Sequence, residues 1–271
     1  MFKQLENLGY ENYLNKYAFH MDLNLDLGNY KKYNSVELLS DKVKTELWAP
    51  VDPNYSISYQ PELDDLIRLH YLVTSRKVTT VLEFGVGFST FVFDHAIRVN
   101  QKLFQKYVNK NLRRENAFEV HSIDNSKKWI KQVKNQLKFY NTSFYYEKCR
   151  MGIFNDRICT FYDNLPNICP DLIYLDAPHQ FSVLGKVRGI STRHPDRVPM
   201  AADILSIEHF LLPGTLIVVD GRTANARFLQ ANLQRNWKCI SNYNFDQHFF
   251  ELIEEPLGYI NSRQLSFSRK R

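Results

Sequence analysis

Apolar and polar positions along this chain change between two periodicities, and the change predicts alternating strands and helices. Runs of apolar and β-branched residues stand at 79–84, 118–123, 171–176 and 214–220. After each run, directly or beyond a loop, apolar residues recur at the three- and four-residue spacing of a helix face. Strands that alternate with helices favour a mostly parallel sheet with helices on both faces, and therefore an α/β fold.

The remaining segments complete the predicted order of elements. Helices are predicted over 61–73, 89–100, 125–137, 200–210 and 223–234, with Asn125-Ser126 as the N-cap of the third helix. Shorter strands are predicted over 143–148, 238–243 and 248–253, and 158–162 is predicted as a strand or a hairpin partner. The last two strands are separated by a turn that is too short for a parallel crossover, so they are predicted to form an antiparallel hairpin. The polar, basic stretch 101–115 is predicted to be an inserted surface helix or loop.

Three regions are predicted from these patterns. Residues 1–57 have weak periodicity, with signals for short helices near 36–39 and for a loop at Pro50 and Pro53. They are predicted to form a cap over one edge of the sheet or an arm of a homodimer. Residues 58–255 are predicted to form the sheet-and-helix domain. Residues 256–271 are predicted as a basic tail, mobile from Asn261 onward.

Composition narrows the class of protein. Of the 271 residues, 44% are hydrophobic and 14% aromatic, so a large core is available without disulfides or metals. The net charge of +6 permits acidic partners without requiring them. The four cysteines form no CxxC pair, which disfavours zinc and predicts reduced thiols in a cytoplasmic protein. The sequence has no uninterrupted apolar run of the kind that would predict a signal peptide or a membrane span.

Four acidic residues fall at the predicted carboxyl ends of strands. They are Glu83, Asp124, Asp176 and Asp220. A single acid at such a place is explained by a turn or a helix cap. Four of them on successive strands predict a ligand site, because open α/β sheets bind their ligands at this edge.

The first of these strands runs into a Gly-x-Gly turn, Gly85-Val86-Gly87. Glycines allow a tight turn and a close approach of the backbone to a ligand. Glu83 precedes the turn and no lysine or arginine lies within it. A pyrophosphate would be repelled there, which disfavours a nicotinamide oxidoreductase, whereas a ligand with an ammonium and a sulfonium would be attracted.

Over roughly residues 60 to 255 the chain resembles the class I S-adenosylmethionine-dependent methyltransferases. The segments that carry the resemblance are Leu82–Thr90, His121–Asp124, Asp171–His179 and Leu216–Arg222. The last is similar to the Asp-Gly segment of small-molecule O-methyltransferases. The resemblance implies a Rossmann-like, mostly parallel seven-stranded sheet with a C-terminal antiparallel hairpin, preceded here by an N-terminal extension.

The same resemblance implies roles for individual residues. Asp124 is expected to hold the ribose hydroxyls, the amides after Gly85 and Gly87 the methionine carboxylate, and Glu83 the ammonium. Ser89, which stands where many members have a third glycine, and Asp176 are also expected to bind the cofactor. Asp176, beside the cofactor, and His179 are the candidate bases for a hydroxyl acceptor. Tyr162 and Asp163 stand near the usual adenine pocket, although core packing is the favoured explanation for Tyr162.

The acceptor is not specified by these motifs. Gly221 and Arg222 follow Asp220 where some metal-dependent relatives have an acid or asparagine, so no metal is expected at Asp176 and Asp220. The loop 181–199 is expected to close over a small-molecule or carbohydrate acceptor, and its basic residues suit a phosphate or carboxylate. These are Arg188, Arg193, His194 and Arg197.

Two other functions remain open alternatives. The lysines of 127–138, the stretch 101–114 and the Arg-Lys-Arg end suggest an RNA or DNA methyltransferase. The Asn/Asp-Pro-Pro-Tyr/Phe signature of base methylation is missing from the sequence, which disfavours that function. A non-catalytic scaffold with a methyltransferase fold is the other alternative, and the intact set of Glu83, Gly85, Gly87 and Asp124 disfavours it.

Overall fold

The structure is a computed structural model that describes residues 2–23 and 62–269. Its helices are α1 (Phe2–Glu6), α2 (Tyr10–Tyr17), α3 (Phe19–Asp22), α4 (Leu63–Ser75), α5 (Phe88–Asn111), α6 (Lys127–Gln136), α7 (Asp203–Ile207), α8 (Thr223–Asn232) and α9 (Gly258–Arg269). Its strands are β1 (Thr80–Phe84), β2 (Glu119–Asp124), β3 (Thr142–Tyr146), β4 (Cys149–Phe154), β5 (Arg157–Tyr162), β6 (Leu172–Leu175), β7 (Leu216–Asp220), β8 (Trp237–Asn242) and β9 (Gln247–Leu252).

Contacts divide the chain into two compact units, residues 1–68 and 69–271. In the first unit, the buried guanidinium of Arg68 is the main polar centre. It donates to the Tyr10 hydroxyl at 2.8 Å and to the Asp64 carboxylate at 2.7 Å, and it is also paired with Asp65. A buried charge requires such partners, because an isolated one is costly to remove from water.

The second unit is built on a seven-stranded sheet with the order β3-β2-β1-β6-β7-β9-β8. All neighbouring strands from β3 to β7 pair in parallel, and β9 pairs antiparallel with both β7 and β8. The predicted mostly parallel sheet with a C-terminal antiparallel hairpin is therefore confirmed. Parallel pairing brings the carboxyl ends of β1, β2, β6 and β7 to one edge.

Helices cover both faces of this sheet, as predicted. On one face, Leu82 and Phe84 of β1 join a core with Ile204 of α7 and Leu229 of α8. On the other face, Glu83 bonds to Thr90 of α5. Side chains alternate along a strand, so a single strand supplies both cores.

A second, two-stranded sheet is inserted between β3 and β6. It is the antiparallel hairpin β4–β5, which confirms the hairpin alternative for 158–162. Leu184 forms backbone hydrogen bonds with β4, and the residues on either side of Ala201 form backbone hydrogen bonds with β5. The two ends of the loop that follows β6 are therefore held against this hairpin by backbone hydrogen bonds.

Two elements differ from their predicted form. The basic stretch 101–115 mostly continues α5, which runs unbroken to Asn111. The predicted mobility from Asn261 is wrong, because α9 occupies this segment and buries Asn261, Leu265 and Phe267. The Phe267 ring stacks on Tyr107 at 5.2 Å. Alternating polar residues hid the few apolar positions that anchor this helix.

Other predictions meet the structure only in part. The signals near 36–39, Pro50 and Pro53 lie outside the described residues, and the three region boundaries and the homodimer stay predictions. No described helix is long and apolar enough to cross a membrane. The four cysteines are free thiols, with Cys149 and Cys159 buried and Cys239 exposed.

Candidate active site

Gly85, directly after β1, is a position of the site where only glycine fits. Its φ angle of +107° lies in a region that favours glycine. A methyl group at this position would stand 3.1 Å from the carbonyl oxygen of Asp176 and 3.3 Å from Ala177. The turn after β1 and the segment after β6 therefore touch through backbone, with no room for a side chain.

Gly87 differs from Gly85 because its backbone is extended, with a φ of −171°. A Cβ there would meet only the Ser89 hydroxyl, at 3.9 Å. The Gly87 N–H donates to the Thr90 hydroxyl at 2.9 Å, which fixes the start of α5. The open space beside Gly87 fits a turn that a ligand approaches closely.

Glu83 does not lie at the surface of the site, contrary to expectation. Its side chain is fully buried, and its two oxygens accept 2.6 Å hydrogen bonds from the hydroxyls of Ser89, Thr90 and Ser122. Burial raises the pKa of Glu83 to about 8, against the opposing effect of the three hydroxyl donors. The carboxyl group ties β1, β2 and the start of α5 together beneath the glycine turn.

Replacing Glu83 with glutamine should flatten the dependence of stability on pH between 6 and 8. A carboxyl group whose pKa is raised by folding stabilises the protein most at low pH, and this contribution is lost as pH rises from the unfolded value of 4.5 to about 8. The slope is at most about 1.4 kcal/mol per pH unit for one group. Urea unfolding of both proteins at pH 6, 7 and 8 measures it, and parallel curves would contradict the assignment.

Asp124 ends β2 and faces the same turn. Its carboxylate accepts from the Val86 N–H at 3.1 Å and from the Ser126 N–H at 2.7 Å. Burial raises its pKa to about 6, and the backbone donors oppose the rise. A carboxylate offers about four acceptor sites, so this one retains capacity for further donors.

The turn is held from the α6 side as well. Ser126 caps α6 by accepting from the Trp129 N–H, as predicted. The Trp129 indole donates to the carbonyl of Val86. Val86 packs with Ile130 and Val133 in a small separate core. The middle residue of Gly-x-Gly is therefore an anchor, which the sequence pattern did not indicate.

The segment after β6 carries both candidate bases. Asp176 has 55% of its side chain exposed and forms an ion pair with Arg222 at 3.2 Å. Arg222 also donates to the carbonyls of Asp176 at 2.8 Å and Pro178 at 3.1 Å. Arg222 therefore fixes the loop that leads to His179.

His179 is half-buried and begins a short 3-10 turn. Its Nδ1 accepts from the Phe181 N–H at 3.3 Å. In the neutral ring this bond leaves the proton on Nε2, so the second nitrogen of His179 is a donor rather than an acceptor. Of the two candidate bases, Asp176 is the one whose acceptor oxygen is exposed.

Asp220 ends β7 and is half-buried. Its carboxylate accepts from the Tyr174 hydroxyl at 2.7 Å, on the strand that leads to Asp176. Both carboxylates therefore already accept hydrogen bonds from the protein, Asp176 from Arg222 and Asp220 from Tyr174. The grouping of acidic side chains that could hold a cation among the described residues is Glu62, Asp64 and Asp65, in the first unit.

Tyr162 and Asp163 end β5 in different surroundings. Tyr162 is buried in the core, with its ring centroid 5.8 Å from that of Phe84. Burial, with Asp124 as the next cause, raises its pKa well above the usual range. Asp163 is paired with Arg150 at 2.6 Å. The core-packing interpretation of Tyr162 agrees with this burial, and a role of either residue at adenine stays a prediction.

The basic loop after His179 is exposed over its tip. Val187 and Ile190 pair across a two-residue turn that displays Arg188. Arg193 and Arg197 donate to carbonyls of the loop itself, those of Val183 at 3.2 Å and Ser191 at 2.9 Å. These contacts brace the loop, and closure over an acceptor stays a prediction.

Sequence reasoning found the acids and glycines but missed three contributors. Ser122 and Thr90 complete the buried bonds of Glu83, and Arg222 holds the segment after β6. Ser122 could have been found, since it lies two residues before Asp124 and a strand has a period of two. Arg222 gave no such signal, because its partners are 46 and 44 residues away along the chain.

Comparisons with known proteins find similar solved structures. No family model and no curated protein matches the sequence. Among solved structures, the chain is similar to the SAH-bound Podospora anserina methyltransferase PaMTH1, with 11% identity, a TM-score of 0.38, and coverage of 72% of this chain and 80% of that chain. It is also similar to a Staphylococcus aureus protein assigned as a caffeoyl-CoA O-methyltransferase, with 11% identity, a TM-score of 0.40, and coverage of 88% and 99%.

The strand order itself carries the assignment of the fold. Five parallel strands lead to an antiparallel hairpin whose last strand, β9, inserts between β7 and β8. The Gly-x-Gly turn follows β1, and an acid ends each of β2 and β7 while Asp176 follows β6. The chain therefore has an α/β, Rossmann-like fold, with the mostly parallel sheet and C-terminal hairpin that the resemblance to the class I S-adenosylmethionine-dependent methyltransferases implies.

Proposed function

We propose that this protein transfers a methyl group from S-adenosylmethionine to a small-molecule or carbohydrate acceptor, at an oxygen atom, by in-line displacement. One observation carries the proposal: the glycine turn, Asp124 and Asp176 converge on the carboxyl edge of the sheet. Val86 of the turn bonds to Asp124, and Gly85 touches the backbone of Asp176. In this proposal the methyl donor binds at the turn and the methyl acceptor binds beside Asp176, so the two would lie next to each other.

The residues present fit this cofactor. Gly87 leaves open space beside the backbone at the start of α5, where a helix N-terminus attracts a carboxylate. Asp124 retains acceptor capacity for the two ribose hydroxyls. Ser89 and Glu83 support the glycine turn from inside the protein, because the Ser89 hydroxyl donates its hydrogen bond to the buried Glu83 carboxyl group. S-adenosylmethionine, when bound, supplies an electrophilic methyl group on a positively charged sulfur.

Asp176 and His179 serve the acceptor in this proposal. The exposed carboxylate of Asp176 accepts the proton of the acceptor hydroxyl. Desolvation by the surrounding protein raises the pKa of Asp176, while the charge and hydrogen bond of Arg222 oppose the rise. The Nε2–H of His179 orients the acceptor oxygen. The alignment of nucleophile and methyl group can supply much of the acceleration, since effective molarities on the order of 10⁵ M are reached by well-oriented groups.

Arg222 supports a reaction without a divalent metal. Its guanidinium already satisfies one oxygen of Asp176 and two backbone carbonyls, so the positive charge beside the acceptor comes from the protein. Chelation with EDTA should leave methyl transfer unchanged. Loss of activity on chelation, with recovery on adding Mg²⁺, would contradict this part of the proposal.

Calorimetric titration with S-adenosylhomocysteine tests the proposed function. We expect saturable binding at one site per chain, with a Kd between about 1 μM and 1 mM, the range that enzyme KM values usually span. A titration with no heat at several temperatures would overturn the proposal. An assay of S-adenosylhomocysteine release over a panel of phenols, sugars and hydroxy acids would then identify the acceptor.

Asp176→Asn should lower kcat by about 10²- to 10⁴-fold for the acceptor found, because it removes the proton acceptor. The affinity for S-adenosylhomocysteine should change far less than kcat. Asp196→Asn is a matched control, since Asp196 is an exposed carboxylate of the same loop. Equal kcat values for Asp176→Asn and the wild-type protein would exclude Asp176 as the base.

A further inference from the structure

Two segments of the chain are strongly basic, 101–114 and 125–148, each with a net charge of +5. Residues 125–148 contain six lysines and one glutamate. This segment forms α6 and the edge strand β3. A charge confined to one face acts as a local field, whereas a dispersed charge serves solubility.

Three of these lysines form a stripe along α6. Lys127, Lys131 and Lys134 are four and three residues apart, so they lie on one face of the helix, and all three are exposed. No acidic residue occurs in α6, and none of the three lysines takes part in an ion pair within the described part of the chain. The stripe is therefore available to an external anion.

Aromatic rings of β3 accompany the stripe. The Lys127 ammonium lies 4.5 Å from the Tyr146 ring centroid, and the Lys134 ammonium lies 5.3 Å from that of Phe144. Tyr146 is 36% exposed, and Tyr140, just before β3, is 67% exposed. Cations interleaved with accessible rings are the combination that binds single-stranded nucleic acid, through phosphates and stacked bases.

The apolar side of α6 disfavours a membrane as the partner. A helix that lies on a bilayer inserts its apolar face among the acyl chains. Here Ile130 and Val133 are buried against Val86 within the protein. The outward side of α6 carries lysines and uncharged polar residues, so the helix has no apolar face left to insert into a bilayer.

We propose that the face formed by the α6 lysine stripe and Tyr146 binds single-stranded nucleic acid. The lysines neutralise successive phosphates, and Tyr146 stacks on a base. The inference does not rest on the proposed methyl transfer, since no residue of the stripe belongs to the candidate active site. It places a polynucleotide partner beside α6, the helix that begins three residues after Asp124.

Fluorescence anisotropy with a labelled single-stranded RNA of about 20 nucleotides tests this binding. At about 50 mM salt we expect micromolar affinity that falls steeply as salt is raised. Converting Lys127, Lys131 and Lys134 to glutamine should weaken binding at least tenfold and reduce the salt slope by about 2, since each phosphate contact on a single strand contributes about 0.7.

The matched control removes the same charge from another helix. Lys102, Lys106 and Lys110 are exposed on α5, and their conversion to glutamine should change the affinity less than about threefold. Tyr146→Ala should weaken binding by about tenfold without a change of charge, and Tyr146→Phe should restore it. Thermal melting confirms that each variant is folded.

Four results would overturn the proposal. The first is the absence of binding at about 100 μM protein and low salt. The second is equal loss of affinity in the two triple variants, and the third is tighter binding of a duplex of the same length. The fourth is binding of phosphatidylserine vesicles or of heparin without binding of the oligonucleotide, which would assign the face to a lipid surface or an anionic polysaccharide.

Discussion

Gly85→Ala should unfold the protein at a markedly lower temperature and abolish binding of S-adenosylhomocysteine. The φ angle of +107° penalises any residue with a Cβ, and the added methyl would stand 3.1 Å from the Asp176 carbonyl oxygen. These two effects together cost about 2–4 kcal/mol of folding free energy. For a chain of this size the expected drop in Tm is about 5–15 °C, measured by differential scanning calorimetry.

Gly87→Ala and Gly189→Ala separate the loss of stability from the loss of ligand binding. At Gly87 the backbone is extended and the space is open, so stability should hold while the added methyl blocks the ligand and lowers its affinity at least tenfold. At Gly189 the φ angle is +80°, but an added Cβ would have no atom within 4 Å. Only a modest loss of stability is therefore expected, and S-adenosylhomocysteine should bind as it does to the wild-type protein. If Gly87→Ala bound the ligand normally, the turn could not be the place where the ligand approaches.

Asp124→Asn should reduce the affinity for S-adenosylhomocysteine by about 100-fold, close to 3 kcal/mol. Two hydroxyl donors lose a charged acceptor, and hydrogen bonds to charged groups contribute about 1.5–3 kcal/mol each. Calorimetric titration measures the change. Asp156→Asn is the control, because Asp156 is an exposed carboxylate in the β4–β5 turn. Unchanged affinity in Asp124→Asn would mean that another group holds the ribose.

The same residue should give the wild-type protein a pH-dependent affinity. The pKa of Asp124 is raised to about 6, so its carboxylate is protonated and loses acceptor strength as pH falls through that value. Binding should therefore weaken between pH 7.5 and 5.5. In Asp124→Asn the affinity should stay low and flat over this range. An equally steep change in the variant would assign the titration to a different group, such as Asp203, whose pKa is about 7.

The local chemistry of the site could be predicted from the sequence because it follows short-range rules. Strand periodicity, Gly-x-Gly and an acid after each strand are adjacent in the chain, and the sheet topology follows from alternating elements and one short connection. Ser126 as the cap of α6 was predicted for the same reason. The mobile tail was predicted wrongly, since burial of Leu265 and Phe267 depends on distant partners such as Tyr107.

The sequence by itself determined the sheet, its hairpin and the residues that meet at its carboxyl edge. Only the tertiary structure decided what these residues do there. It turned Glu83 inward onto three hydroxyls, joined Asp176 to Arg222 and directed the Nδ1 atom of His179 toward a backbone amide. The physical reason is distance along the chain: a strand end is a local property, whereas burial and hydrogen-bond partners depend on which segments the fold brings together.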